Sequence, residues 1–255
     1  MKRNFKTRSL LSAALITLLP AGLALATPKA VPAPIDKLFI PEGFDDNDTA
    51  EIILHGDFPN GCFKVGEPEV RVRPKEKTID ISATSWNYDG GPCLQVITPF
   101  IQVVRAGVLE AGEYRVSYMR DGLMPMSEPL TAVLNVRRRT TEAPDDYLYA
   151  NVENAFIDFD YSAGKQQLVV QGTHPIWLKG CQVIREVRTY FDPEDVLVVL
   201  PITELVEGPE CDEQVEDRGF IIRKGLSQPF TTEGLLHVRS MSGTSVNTLV
   251  SPVDF

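Results

Sequence analysis

Along most of this chain apolar residues alternate with polar ones, and the period is two. Val70-Arg71-Val72-Arg73 and Thr78-Ile79-Asp80-Ile81-Ser82 each collect their apolar side chains on one face, as half-buried strands do. Between them Pro74-Lys75-Glu76-Lys77 suits a hairpin turn. Val183 to Tyr190 and Val196 to Pro201 stand in the same relation further on, and Leu130 to Val136 and Asn247 to Val253 read as alternating late strands. A helical period is hard to find beyond the first residues. Six or seven short strands in roughly 100 residues, bounded by Gly/Pro turns, predict an all-β chain of Greek-key β-sandwiches.

The chain also resembles itself. Ile53-Leu54-His55-Gly56-Asp57-Phe58-Pro59-Asn60-Gly61-Cys62 is echoed by Val169-Val170-Gln171-Gly172-Thr173-His174-Pro175, with Gly180-Cys181 after a short insertion. Phe39-Ile40 is echoed by Phe156-Ile157, and Gly112 to Met119 by Gly234 to Met241. A period of about 120 residues is too long for a solenoid unit and predicts two tandem domains. The expected layout is a leader over 1–26, a mobile Pro-rich tail over 27–36, a first sandwich over 37–138, a polar linker over 139–147 and a second sandwich over 148–255.

Leu109-Glu110-Ala111-Gly112-Glu113-Tyr114-Arg115-Val116 resembles the tyrosine corner of immunoglobulin-like sandwiches, in which a Tyr near the start of a late strand bonds back to the backbone. Val116 stands where an antibody domain has its second cysteine, and Leu236 replaces the Tyr in the second unit. Both units are similar to tandem immunoglobulin-like repeats of exported bacterial proteins. That resemblance implies a fold class and no activity.

The N-terminus changes the picture of where the chain works. Lys2, Arg3, Lys6 and Arg8 precede the apolar run Leu10 to Leu19, and Pro20 and Gly22 lead to Ala24-Leu25-Ala26. That order of charge, apolar core and small residues is a secretory signal peptide, with cleavage expected near Ala26. The run is too short and too interrupted to be kept as a membrane span. The expected location is periplasmic or secreted. Loss of the four basic residues would take the net charge from −10 to −14. A polyanion makes nucleic acid an unfavourable partner, and solubility accounts for the charge without any ligand.

Four cysteines allow three pairings. Cys62 to Cys93 spans 31 positions and Cys181 to Cys211 spans 30, so if each unit folds alone the bonds are Cys62–Cys93 and Cys181–Cys211. No C-x-x-C is present and no His stands at short ligand spacing from a Cys, which favours structural disulfides over redox or metal chemistry.

Candidate chemistry is sparse. His55, His174 and His237 read as edge or corner residues, since no further metal ligands converge with them in sequence. Asp45-Asp46-Asn47-Asp48 is a turn-forming acidic loop lacking the spacing of a calcium-binding helix–loop–helix. Glu207, Glu210, Asp212, Glu213, Glu216 and Asp217 crowd one loop rather than facing across a cleft, as glycosidase carboxylates must. Ser242-Gly243-Thr244-Ser245 is not a nucleophile elbow. No catalytic residue, cofactor or metal ligand is assigned.

Trp86 and Tyr88, beside Gly90-Gly91-Pro92, are the possible ligand contacts. Exposed, they would stack on sugar rings or anchor a protein. The expectation for Trp86 is instead packing over the disulfide, with Trp177 doing the same in the second unit, because large aromatics are usually mostly buried. The functional expectation is a non-enzymatic envelope or secreted module that binds another protein by loops and edge strands. A glycan-binding module using Trp86 and Tyr88 is the alternative, and a hydrolase with an unrecognised site the distant one.

Overall fold

The computed structural model describes residues 27–88, 90–119, 128–175, 181–207 and 218–251. The leader over 1–26, Trp177, Cys211 and the acidic residues from Glu210 to Asp217 lie outside that set.

The fold is all-β. In the first half run β1 (Lys29–Pro32), β2 (Ile35–Phe39), β3 (Thr49–Phe58), β4 (Phe63–Arg73), β5 (Thr78–Asn87), β6 (Thr98–Val108), β7 (Gly112–Tyr118) and β8 (Leu130–Val136). In the second run β9 (Val152–Asp160), β10 (Lys165–Thr173), β11 (Cys181–Phe191), β12 (Val196–Val206), β13 (Gly219–Gly225), β14 (Gly234–Ser240) and β15 (Thr244–Val250). The final strand therefore starts at Thr244, earlier than the alternation suggested, directly after a 3-10 turn at Met241–Gly243.

Four sheets result: β2-β3-β6 and the five-stranded β4-β5-β7-β8 sheet, with β1 also paired to β5, in the first half, and β13-β10-β9 and β11-β12-β14-β15 in the second. Apart from β1, the two halves place their strands in the same order. The immunoglobulin comparison holds for the sandwich and fails for one pairing in each half. In immunoglobulin domains both sheets are antiparallel. Here β5 lies between β4 and β7 and runs parallel to β7, as β12 does to β14.

The start of each parallel pair is built alike. Lys77 (φ 51°) and Asp195 (φ 62°) adopt left-handed backbone just before β5 and β12. Their carbonyls accept the N–H groups of Arg115 and Leu235 at 2.9 and 3.0 Å. The Lys77 ammonium then donates to the carbonyls of Glu110 and Ala111, each at 3.2 Å, and to the buried Tyr114 hydroxyl at 3.0 Å. The tyrosine at this corner is thus tied through a lysine that reaches the backbone. The glycines shared by the two repeats also have a common cause. A Cβ on Gly56 would lie 2.0 Å from the Pro34 carbonyl oxygen, and one on Gly172 would lie 2.0 Å from that of Asn151.

The sheets stack in four layers with three apolar seams. Ile79 and Ile81 of β5 pack against Ile52 and Leu54 of β3. Leu197, Val199 and Leu236 pack against Leu168 and Val170. Between these sandwiches, Phe39 and Ile53 meet Val196, Val198 and Leu235. β3 and β12 are therefore buried on both faces, which is why Ile52-Ile53-Leu54 and Val196-Leu197-Val198-Val199 are unbroken apolar runs.

Polar groups flank the middle seam. Arg239 of β14 donates to Asp48 at 2.5 Å, with both side chains under 10% exposed, and stacks 4.7 Å over Phe44. Nearby, burial lifts the Tyr149 hydroxyl to about 12, against the pull of Arg239. The buried Glu51 carboxylate accepts from the Ser245 hydroxyl and faces Arg105 at 3.4 Å.

Two expectations change. Residues 27–36 are not a mobile tail: Lys29–Pro32 pair with β5, Ala33 and Ile35 are buried, and Tyr118 donates to the Ala33 carbonyl at 2.9 Å. The stretch 139–147 is polar but tethered. Asp46 accepts the Arg139 N–H at 2.9 Å, Asn47 donates to the Thr141 and Ala143 carbonyls, and Asp145 accepts the Gly243 N–H.

Candidate functional site

Of the residues singled out in sequence, Cys62, Cys93, Trp86 and Tyr88 gather at one end of the first sandwich. The β3–β4 turn is shaped by Asn60, whose side-chain oxygen accepts the Cys62 N–H at 3.0 Å. Cys62 is bonded to Cys93 with a Cα–Cα separation of 5.3 Å. Two backbone bonds fasten the same place: Gly61 N–H to the Leu94 carbonyl and Tyr88 N–H to the Cys62 carbonyl, both 2.9 Å. Beneath lies a stack of Phe58 on Phe63 and Phe100, with ring centroids 5.5 and 4.1 Å apart. Cys181 is also disulfide-bonded, while Cys211 falls outside the described residues.

This scaffold holds the segment after Cys93 in the open. Leu94, Val96 and Ile97 are 77%, 55% and 67% exposed. They have no inward face, because the segment between β5 and β6 is fastened through its backbone and not paired in a sheet. Gln95 donates to the Cys93 carbonyl and Thr98 to that of Val96.

Trp86 does not pack over the disulfide. In β5 the inward positions are Ile79, Ile81, Ala83 and Ser85, so Trp86 faces outward and is 40% exposed. Its cross-strand neighbours are Ala30 and Lys64. Tyr88 is 38% exposed, with the Lys64 ammonium 5.3 Å from its ring centre. Both are thus presented beside the apolar loop. Leu94, Val96 and Ile97 were missed in sequence. Their signal was three apolar residues next to a Gly-Gly-Pro-Cys turn, where a loop has no core to fill.

The other candidates are placed elsewhere. His55 and His237 are not edge residues but buried beside the middle seam. His55 Nδ1 lies 3.0 Å from Asp36 and 3.6 Å from Glu233. His237 Nδ1 donates to the Asn247 side-chain oxygen at 2.7 Å, and its Nε2 has no partner among the described residues. Burial brings its pKa down to about 4. His174 packs on Phe220, and burial lowers its pKa too.

The acidic loop spends its oxygens on protein donors. Asp45 accepts the Asn47 N–H, and Asp48 accepts from the Asp45 N–H and from Arg239. Ser242 sits in a tight turn with φ 65°. Among the described residues no group of three or more His, Cys, Asp or Glu side chains is arranged to hold a metal ion, and no helix is long and apolar enough to cross a membrane.

A family model described as the ORF11 beta-sandwich domain matches residues 52–122. That stretch runs from β3 past β7 and includes the disulfide, Trp86 and the apolar loop. Neither the curated proteins nor the solved structures yield a match.

Proposed function

We propose that this chain is an exported, non-enzymatic binding module whose disulfide-braced end of the first sandwich docks another envelope or extracellular protein. The exposed apolar loop carries this reading. Leu94, Val96 and Ile97 stand in water beside Trp86 and Tyr88, while the residues beneath them are fixed by a disulfide and an aromatic stack. Exposed apolar side chains grouped together cost solubility and mark interaction sites more often than scattered ones. A loop that is already ordered loses little further freedom on binding, so more of its contact energy appears as affinity. Export is supported by the leader pattern and by the disulfide, which persists in oxidising compartments.

The test is crosslinked capture from the native envelope with oxidised protein, comparing the parent with a Leu94→Asp/Ile97→Asp variant. The same thermal midpoint with loss of a defined captured protein supports docking at this loop. Undiminished capture refutes it.

The outward-facing Trp86, with Lys64 and Tyr88 alongside, favours a second reading as a glycan platform. Tryptophan fluorescence that responds to polysaccharide, and loses the response in Trp86→Ala, would select it. A parent protein whose emission ignores every polysaccharide tried would remove it.

A further inference from the structure

A cleft of about 420 Å³ opens where the two sandwiches meet, far in sequence from the disulfide loop. It falls within the roughly 300–1,000 Å³ of pockets that enclose one small ligand. Its walls come from both halves: Glu42 and Gly43 before β3, Arg137 after β8, Asp146 and Tyr147 from the connecting segment, and Arg188 and Tyr190 from β11. We propose that this cleft is a binding site for a single acidic sugar unit, with Arg137 holding its carboxylate. The inference does not depend on the docking role of the apolar loop.

The chemistry of the walls points there. Arg188 is already committed, donating to the Tyr147 hydroxyl and to Glu186 at 2.8 Å each, and it lies 4.9 Å from the Tyr147 ring centre. Arg239 is committed to Asp48. Arg137 is different. Its backbone N–H donates to the Phe44 carbonyl, but its guanidinium has no hydrogen bond or ion pair with a described residue. Its charge acts on the Tyr190 hydroxyl, which itself donates to the Glu42 carbonyl at 3.3 Å. An uncommitted guanidinium beside such a wall is a fork for a carboxylate.

The rest of the lining suits hydroxyls and a ring. Glu42 and Asp146 offer acceptors, Tyr147 and Tyr190 offer phenol groups and ring faces, and Leu200 adds an apolar contact. A bare polyanion would be repelled by the two acids, and an apolar ligand would strand the polar groups. A polyhydroxylated ring with one carboxylate satisfies both. The cleft is also shaped for access: Gly43 has φ 102°, and a Cβ there would come within 2.9 Å of the Tyr190 hydroxyl. Only glycine leaves that hydroxyl in place.

Titration calorimetry of the mature, oxidised protein with glucuronate, glucose and acetate tests this. Saturable binding of glucuronate is expected, with glucose and acetate each about tenfold weaker or worse, since each lacks one half of the match. Arg137→Ala should weaken glucuronate by about tenfold or more, while Arg223→Ala, an exposed arginine on β13, should not. Acetate binding as well as glucuronate would reduce the cleft to an anion site and overturn the sugar assignment. Absence of saturable glucuronate binding, or an Arg137→Ala variant that binds normally with an unchanged thermal midpoint, would overturn the site itself.

Discussion

Replacing Asp48 by Ala should unfasten the two sandwiches from each other. Asp48 and Arg239 come from different halves of the chain, meet at 2.5 Å and are 6% and 9% exposed. Burial raises the Asp48 pKa above the ordinary carboxylate value, and Arg239 opposes that by favouring the ionised form. Removing the carboxylate leaves a buried guanidinium facing the Phe44 ring, 4.7 Å away, and frees the Asp45 N–H that Asp48 accepts. Breaking a buried pair from one side typically costs about 3–5 kcal/mol. The value here should fall at the low end, because Asp145 and Tyr149 also lie within reach of the Arg239 charge. At about 3 kcal/mol, for a chain of this size, that is a fall of roughly 6–12 °C in Tm. Urea unfolding by circular dichroism gives the free energy directly. A double variant, Asp48→Leu with Arg239→Met, removes both charges and should recover most of the loss. A cost below about 1 kcal/mol for Asp48→Ala, or a double variant no better than the single, would refute the reasoning.

Acid should weaken the fold through His237. Its folded pKa of about 4 lies below the ordinary 6.5, so the unfolded chain takes up a proton that the folded one refuses. Stability therefore falls as pH drops from about 6.5 toward 4, by up to roughly 3 kcal/mol, and His237→Gln should flatten that part of the profile; an equal acid slope in both proteins would contradict this. Gly56→Ala and Gly172→Ala force a Cβ to within 2.0 Å of a carbonyl oxygen and should each cost about 1–3 kcal/mol or more, whereas Gly91→Ala, with open space, should be near neutral. Equal urea midpoints for Gly56→Ala and Gly91→Ala would count against it. Cys62→Ser/Cys93→Ser should lose about 3–4 kcal/mol through the freed 31-position loop, and an unchanged midpoint would show that the bond constrains little.

Legibility differed by element. Alternation found the outer strands, because a sheet with one wet face writes its burial in a period of two. Ile79 and Ile81 point in while Asp80 and Ser82 do not. It did not announce the middle seam. A strand buried on both faces loses its alternation, and the runs around Ile53 and Val198 carried that information as continuity. The buried histidines were misread for the same reason, since edge and seam positions look alike until the second sandwich is in place. Strand order was not legible either. The parallel β5–β7 and β12–β14 pairs depend on which strand crosses between sheets, and short strands with similar turns fit several orders. Trp86 was expected to pack inward as a large aromatic, but parity in β5 turns it outward: one position earlier it would point inward. The apolar loop has no alternation to mark it, and its exposure is set by the disulfide and the two backbone bonds that hold it.

A photo-crosslinking side chain placed at Leu94, compared with one at the highly exposed Tyr161, tests the docking proposal most directly. Installed in the oxidised protein in its native envelope, the Leu94 probe should yield a discrete adduct with one protein that the Tyr161 probe does not give. Identical adduct patterns from both positions, or none from Leu94, would contradict the proposal that this loop is where the molecule meets its partner.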